Sequence, residues 1–283
     1  MSISALYRML FAPGLLILAG LVFAPLALMA IESFRPFVGG QIGGGAGWTL
    51  ENYLELISPS YAYYFWDTVS VGFSASAVAM LLATPLAWQA ARARRSATRV
   101  LIFGLLVSLL FLSLIAKLYA IQMTWGPTGP LAFIGTLIGI PARSPRYAEV
   151  QVFVGLLHFV LPLATLMMIG TFQNISPRLE EAATSLGAPR WRVAISVTLP
   201  LAVPGLLAAF MIAFAMCISN FVVPLILGRG VVLFTTNLMY TRFSDVADYP
   251  SGAAIGVIML ALVATIIYAM TIVVRRLVAA DTH

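Results

Sequence analysis

The side chains best suited to chemistry lie together in residues 180–201, which read EEAATSLGAPRWRVAISVTLPL. Glu180, Glu181, Arg190 and Arg192 could form ion pairs or polar contacts there. The chain has two histidines and one cysteine, none of them in this stretch, and no H-E-x-x-H motif. It therefore offers no nucleophile and base pair and no multi-histidine metal site, so we predict a contact surface and no catalytic or metal-binding residue.

Local signals predict that a short helix begins this stretch. Ser176 can cap the helix, and Pro177 suits its first position. Glu180 and Glu181 follow where the helix dipole favours negative charge. Gly187 can end the helix, because glycine readily takes the left-handed conformation that follows many helices.

One face of this predicted helix is apolar, and alanine in its middle lets another surface approach closely. The residues of the face are Leu179, Ala182, Ala183 and Leu186. Two interpretations fit the pattern: the face docks on a partner, or the helix only packs against its own chain at the membrane. Pro189 then predicts the start of a second helix that leads toward Pro200.

Composition places the chain in a lipid bilayer. Of its 283 residues 61% are hydrophobic and only 9% are charged, and the mean hydropathy is +1.00. An ordinary soluble domain carries about 25% charged residues. We therefore attribute the net charge of +6 to membrane topology and expect no nucleic-acid partner. The single cysteine, Cys217, excludes a disulfide framework.

Six apolar segments reach the length of about 20 residues that a membrane-crossing helix needs. They are residues 9–31, 68–91, 100–123, 150–172, 203–227 and 252–274. We predict an all-α integral membrane protein with one transmembrane domain over residues 1–283. The first segment follows Arg8, as a signal peptide would, but its apolar run is too long and Leu28 disfavours a cleavage site. We expect an uncleaved helix.

The arginines predict how the six helices are oriented. One side carries ten and the other five, and the positive-inside rule places the richer side in the cytoplasm. Both termini and the loop at residues 173–202 then face the cytoplasm. The ten are Arg8, Arg92, Arg94, Arg95, Arg99, Arg178, Arg190, Arg192, Arg275 and Arg276, and the five are Arg35, Arg143, Arg146, Arg229 and Arg242.

The spacing in this loop resembles the signature of permease subunits from bacterial binding-protein-dependent ABC importers of type I. That signature reads EAA, three residues, G, nine residues, I, one residue, LP. The matching residues are Glu181, Ala182, Ala183, Gly187, Leu199 and Pro200. Val197 stands where isoleucine is usual and keeps the apolar bulk.

The flanking sequences resemble the spermidine/putrescine group of these permeases over most of residues 60–275. They read HFVLPLATLMMIGTFQNISPRLEEAATSLGA and LPLAVPGLLAAFMIAFAMCISNFVVPLILG. The group includes relatives for opines, thiamine, phosphonates and ferric iron. The resemblance implies a bacterial inner-membrane importer that receives a small, polyamine-like solute from a periplasmic binding protein. It also implies a second six-span permease partner, a paralogue of this chain.

The chain has no nucleotide-binding loop of its own. Its only lysine, Lys117, follows Ala116 within the third span, so no G-x-x-x-x-G-K-[ST] motif exists. The resemblance implies that a dimer of ATP-binding cassette subunits binds ATP and Mg, and that the loop helix docks on it as a coupling helix between spans four and five. The expected coupling residues are Glu180, Glu181, Ala182, Ala183, Leu186 and Gly187.

Polar and aromatic residues in or beside the spans are candidates for the solute path, because a polar group that faces lipid is costly. They are Trp66, Asp67, Lys117, His158, Ser219 and Asn220. Lys117 could instead snorkel to the nearby interface, and His158 could bond backbone groups freed by Pro162. Asp67 could be an ordinary loop acid. Asn220 is the best candidate.

Charge alone leaves the solute open. Glu32, Trp66, Asp67 and Glu149 would attract a cation, whereas Lys117 would suit a carboxylate or a phosphonate. The family resemblance favours a polyamine-like compound. The competing class is a secondary transporter or channel that does not use ATP. Intramembrane acids or an inverted repeat would favour that class, and neither is evident in the sequence.

Overall fold

The computed structural model describes residues 3–39, 43–93, 95–137 and 139–280, and all regular elements in these ranges are helical. The α-helices in chain order are α1 (Ile3–Glu32), α2 (Glu51–Leu56), α3 (Pro59–Arg92), α4 (Ser96–Phe111), α5 (Leu114–Trp125), α6 (Ala132–Leu137), α7 (Pro145–Gln173), α8 (Pro177–Ser185), α9 (Arg190–Val193), α10 (Leu199–Ile218), α11 (Val222–Leu227), α12 (Thr235–Tyr240) and α13 (Tyr249–Ala280). Two π-helical turns are Ala194–Thr198 and Thr241–Asp245. The all-α prediction is confirmed.

Five of the described helices are long and apolar enough to cross a membrane, and a bent helix pair raises the number to six. The apolar parts of the five are Phe11–Glu32, Pro59–Arg92, Pro145–Gln173, Arg190–Ile218 and Tyr249–Ile272. They overlap all the predicted spans except the third. Of the residues used to predict orientation, Arg94 and the side chains of Arg8, Arg275 and Arg276 lie outside the described residues.

The predicted third span, residues 100–123, is not one straight helix. Its two parts, α4 and α5, meet at an angle of 95°. The Lys117 ammonium donates a hydrogen bond of 2.9 Å to the Leu109 carbonyl, so it satisfies one of the carbonyls that the end of α4 leaves open. The prediction of an uninterrupted helix is wrong, and no proline or glycine lies at the break to mark it.

The predicted fifth span, residues 203–227, is interrupted too. It consists of α10 and α11, separated by three residues that include Ser219 and Asn220. The buried Asn220 side chain accepts a hydrogen bond of 2.9 Å from the Val223 N–H. This bond stabilises the first turn of α11, because the first N–H groups of a helix have no partner within the helix.

The fold contains two compact units, Met1–Tyr63 with Asn237–Thr265, and Tyr64–Thr236 with Ile266–His283. In the second unit α7 is central and packs against α4, α5, α10 and α11. Gly155 permits its close approach to α11, because a Cβ atom there would lie 2.5 Å from Leu227 Cδ1. Cys217 of α10 is fully buried in this core. The single domain expected from the sequence stays a prediction.

In the first unit, Leu56 of α2 packs against Ala254 and Ile255 of α13. A group of polar side chains, here called the Arg242 cluster, ties three segments of this unit together. Its members are Glu55, Tyr61, Arg242 and Asp248. The Arg242 guanidinium lies 2.7 Å from a Glu55 oxygen and 3.2 Å from an Asp248 oxygen, and the Tyr61 hydroxyl donates to Glu55 at 2.7 Å.

Candidate functional site

The predicted loop helix exists as α8 and has the predicted ends. It begins at Pro177, but Ser176 makes no side-chain capping bond, so that detail of the prediction is wrong. The chain leaves α8 through Gly187, whose φ is +87°. The N–H of Gly187 donates to the Thr184 carbonyl at 3.0 Å, and that of Ala188 to the Ala183 carbonyl at 3.2 Å. This is the Schellman pattern, which requires the left-handed conformation that glycine provides.

The apolar face of α8 is mostly left uncovered by its own chain, and only Ala183 in it is half-buried. No residue of α8 is buried, Leu179 and Ala182 are exposed, and the following Leu186 is 90% exposed. Such a concentration of apolar surface on a short helix is typical of a docking site. Docking on a partner and packing at the membrane both stay predictions, and the exposed Leu179, Ala182 and Leu186 leave this face open to a partner.

The two adjacent acids of α8 lie in different environments. The Glu181 side chain is exposed and has no ion-pair partner among the residues described. The neighbouring Glu180 carboxylate accepts hydrogen bonds from Arg92 Nε at 3.0 Å, Thr198 Oγ1 at 2.9 Å and Trp88 Nε1 at 3.5 Å. We call these four residues, Trp88, Arg92, Glu180 and Thr198, the Glu180 cluster. The signature includes Glu181 but not Glu180, and it gave no sign that Glu180 has partners within the chain.

The second half of the signature is helical but irregular. As predicted, a helix begins directly after Pro189, and α9 continues through a π-helical turn into α10. The turn ends at Thr198, two residues before Pro200, which has no N–H to donate to the turn before it. A cavity of about 550 Å³ lies between this segment, α8 and the end of α3. Its lining includes Trp88, Arg92, Glu180, Glu181 and Arg190.

The candidate path residues do not form one cluster. Lys117 is buried and bonded to the Leu109 carbonyl, so it does not snorkel. His158 is half-buried and has no hydrogen-bond partner among the described residues, so it does not bond backbone freed near Pro162. Ser219 is exposed and bonds the Ala215 carbonyl of its own helix.

A second set of polar residues, which the sequence did not single out, connects α3 with the interruption between α10 and α11. Thr68, next to the buried Asp67, lies 3.0 Å from Thr235 between hydroxyl oxygens. The adjacent Thr236 hydroxyl donates to the Asn220 carbonyl at 3.4 Å. Trp66 is exposed on α3. The consecutive threonines within the apolar sequence VVLFTTNLM were the available signal.

Five to six long apolar helices in the described part of the chain, with a short loop helix between two of them, are typical of a multi-pass membrane protein. The chain belongs to the family of binding-protein-dependent transport system inner membrane components, whose model matches residues 75–279. It is therefore an ABC importer permease, and its relatives are transport permeases.

Two relatives are spermidine/putrescine transport system permease proteins PotB. The one from Haemophilus influenzae is 28% identical over 78% of this chain and 77% of its own length. The one from Escherichia coli is 26% identical over 73% and 75%. The fold is similar to a chain of a bacterial alginate ABC transporter in complex with an alginate-bound periplasmic protein, with a TM-score of 0.76, 16% identity and coverage of 96% and 94%. A chain of the inward-facing methionine ABC transporter MetNI gives a TM-score of 0.56, 17% identity and coverage of 80% and 100%.

Proposed function

We propose that this permease imports a polyamine-like cation, such as spermidine or putrescine, across the bacterial inner membrane. The similarity to PotB proteins over about three quarters of both chains carries this proposal. A periplasmic binding protein delivers the solute, and a paralogous permease completes the path. The termini and α8 face the cytoplasm, in line with the excess of arginines on that side.

In this proposal α8 docks on an ATP-binding cassette subunit, and a dimer of these subunits binds ATP and Mg. The absence of a G-x-x-x-x-G-K-[ST] loop from the sequence supports placing the nucleotide on another chain. Leu179 and Leu186 supply exposed apolar area, while Ala182 lets the partner approach closely. Glu181 provides a polar contact, and Gly187 sets the direction in which the chain leaves the docked helix.

Asp67 and Asn220 are the path candidates that we retain. Both are buried, and the threonine contacts of Thr68 and Thr236 connect their surroundings. A carboxylate such as Asp67 would favour a cationic solute over an anionic one. Lys117 has a structural partner in Leu109, which weakens the argument for an anionic solute.

The decisive test compares two variants of Gly187 in the assembled transporter. No described atom lies within 4 Å of a Cβ atom placed there, so both side chains fit and share the same backbone strain. Gly187→Asp adds a negative charge at the helix C-terminus and on the docking surface, whereas Gly187→Asn has nearly the same shape without the charge. We expect the Asp variant to reach the membrane but to lose ATP-dependent uptake of labelled spermidine, and the Asn variant to retain most of it.

Competition identifies the solute class. Excess unlabelled putrescine should reduce spermidine uptake through the intact system, and failure to compete would contradict the polyamine assignment. Normal uptake by the Gly187→Asp variant would overturn the docking role of α8. Uptake by the purified chain alone in vesicles without ATP would instead support the secondary-transporter class.

A further inference from the structure

Glu180 attaches α8 to two other elements. Its carboxylate accepts from Arg92, the last residue of α3, and from Thr198, the residue directly before α10. The Arg92 guanidinium also donates to the Ile175 carbonyl at 2.9 Å, in the segment that leads into α8. One ion pair therefore connects the end of one long apolar helix, the loop helix and the start of another.

Burial makes this connection more than a surface ion pair. The side chains of Arg92 and Glu180 are only 17% and 16% exposed, and Thr198 is almost completely buried. Charged groups with little access to water interact more strongly and are screened less by salt than exposed ones. No residue of α8 is buried, and through Glu180 these hydrogen bonds link α8 to the end of α3 and to the residue before α10.

We infer that Glu180 is a positioning residue that transmits movement of α8 to α3 and α10, while Glu181 and the exposed apolar face contact the partner. The inference depends on the proposed function, because it assumes that α8 docks on an ATP-hydrolysing subunit. Hydrogen-bond and ion-pair networks that join rigid helices are one physical route by which energetic coupling travels between sites. If the Glu180 cluster is broken, α8 can still bind its partner, but its displacement no longer moves both helices together.

The experiment uses the complete reconstituted transporter and measures uptake per ATP hydrolysed, together with retention of the ATP-binding cassette subunit. Glu180→Gln removes the charge at nearly constant volume, and Arg178→Gln is the control, because it removes a charge from an exposed residue of the same helix that belongs neither to the Glu180 cluster nor to the apolar face. We expect Glu180→Gln to keep the partner subunit and basal ATP hydrolysis but to lower uptake per ATP by about tenfold, within the range of ordinary coupling energies. Arg178→Gln should leave the ratio of uptake to hydrolysis unchanged.

A double-mutant cycle with Arg92→Gln tests whether the two residues act as one unit. The double variant should be no worse than either single variant, because the first change already removes the ion pair. Arg92→Lys keeps the charge but loses the planar fork, so an intermediate ratio is expected. Arg92→Lys also tests the inference if Glu180→Gln does not reach the membrane.

An unchanged ratio in Glu180→Gln or, in its place, in Arg92→Lys would overturn the inference. Loss of the partner subunit from Glu180→Gln would also overturn it, since Glu180 would then belong to the docking surface. A wild-type complex that transports without ATP would instead refute the proposed function, so the two failures are distinguishable.

Discussion

The Glu180 cluster and the Arg242 cluster use the same chemistry around opposite charges. In the first, one carboxylate collects donors from α3 and from the turn before α10. In the second, one guanidinium collects carboxylates from α2 and from the residue before α13. Each cluster joins segments that are far apart in sequence through hydrogen bonds and ion pairs to one charged side chain.

The clusters differ in how evenly their charges are buried. Both charges of the Glu180 cluster are mostly buried, whereas Glu55 of the Arg242 cluster is 44% exposed and Asp248 is only 7% exposed. Within the Arg242 cluster, we therefore expect the ion pair with Asp248 to contribute more to stability than the ion pair with Glu55. Buried pairs are sensitive to loss of one partner, while exposed pairs contribute little.

Arg242 keeps its charge in this environment. Burial lowers the pKa of its guanidinium, but the hydrogen bond and charge of Glu55, with the charge of Asp248, raise it by more. The pKa therefore lies above the usual value for arginine. Titration of Arg242 is not expected to regulate this cluster at physiological pH.

The largest expected effect on stability comes from Arg242→Met. This change leaves the buried Asp248 carboxylate without its guanidinium and should destabilise the protein by about 3 kcal/mol. Thermal unfolding of the purified protein in detergent measures the shift. Arg35→Met is the control, because the Arg35 side chain is 45% exposed and pairs with Glu32 at the longer distance of 3.5 Å. Equal shifts in the two variants would show that burial is not what separates these ion pairs.

A smaller loss is expected from Thr198→Val, which removes one donor from Glu180 at nearly constant volume. A hydrogen bond to a charged group contributes about 1.5 kcal/mol, and we expect that loss in the same unfolding measurement. Thr184→Val is the control, since the exposed Thr184 hydroxyl bonds only the Glu181 carbonyl of its own helix. If Thr184→Val is destabilised as much as Thr198→Val, the hydrogen bond from Thr198 to Glu180 contributes no more to stability than an exposed hydrogen bond within a helix.

The smallest effect is expected from Glu55→Gln. Exposed ion pairs contribute less than about 1 kcal/mol, and salt screens them, so the variant should differ from the wild type least at high salt. Unfolding at low and high ionic strength measures this difference. A loss of stability as large as that of Arg242→Met would show that the Glu55 ion pair, and not the Asp248 ion pair, contributes most of the stability of the cluster.

Sequence patterns predicted those parts of the fold that depend on local chemistry. Apolar length located most of the long helices, and proline and glycine located the two ends of α8, because these residues restrict or free the backbone at the positions they occupy. The family signature identified the importer class, since it fixes residue types at exact spacings over twenty positions.

Features that depend on long-range contacts could not be predicted. The break between α4 and α5 has no proline or glycine to mark it, and its Lys117 bond becomes visible only in three dimensions. The signature marks Glu181, but only the positions of Arg92 and Thr198 show that the neighbouring Glu180 is paired within the chain. The polar residues of the candidate path were recognisable by type, but their partners were not.

The complete burial of Cys217 makes the natural chain suitable for site-directed spectroscopy. A thiol with no solvent exposure reacts slowly with maleimides and methanethiosulfonates, so the native sequence gives little background labelling. A single cysteine introduced at exposed Leu186 would then carry a fluorophore or a nitroxide without removal of the native residue. The label would report any movement of α8 that accompanies transport, on an otherwise unmodified subunit.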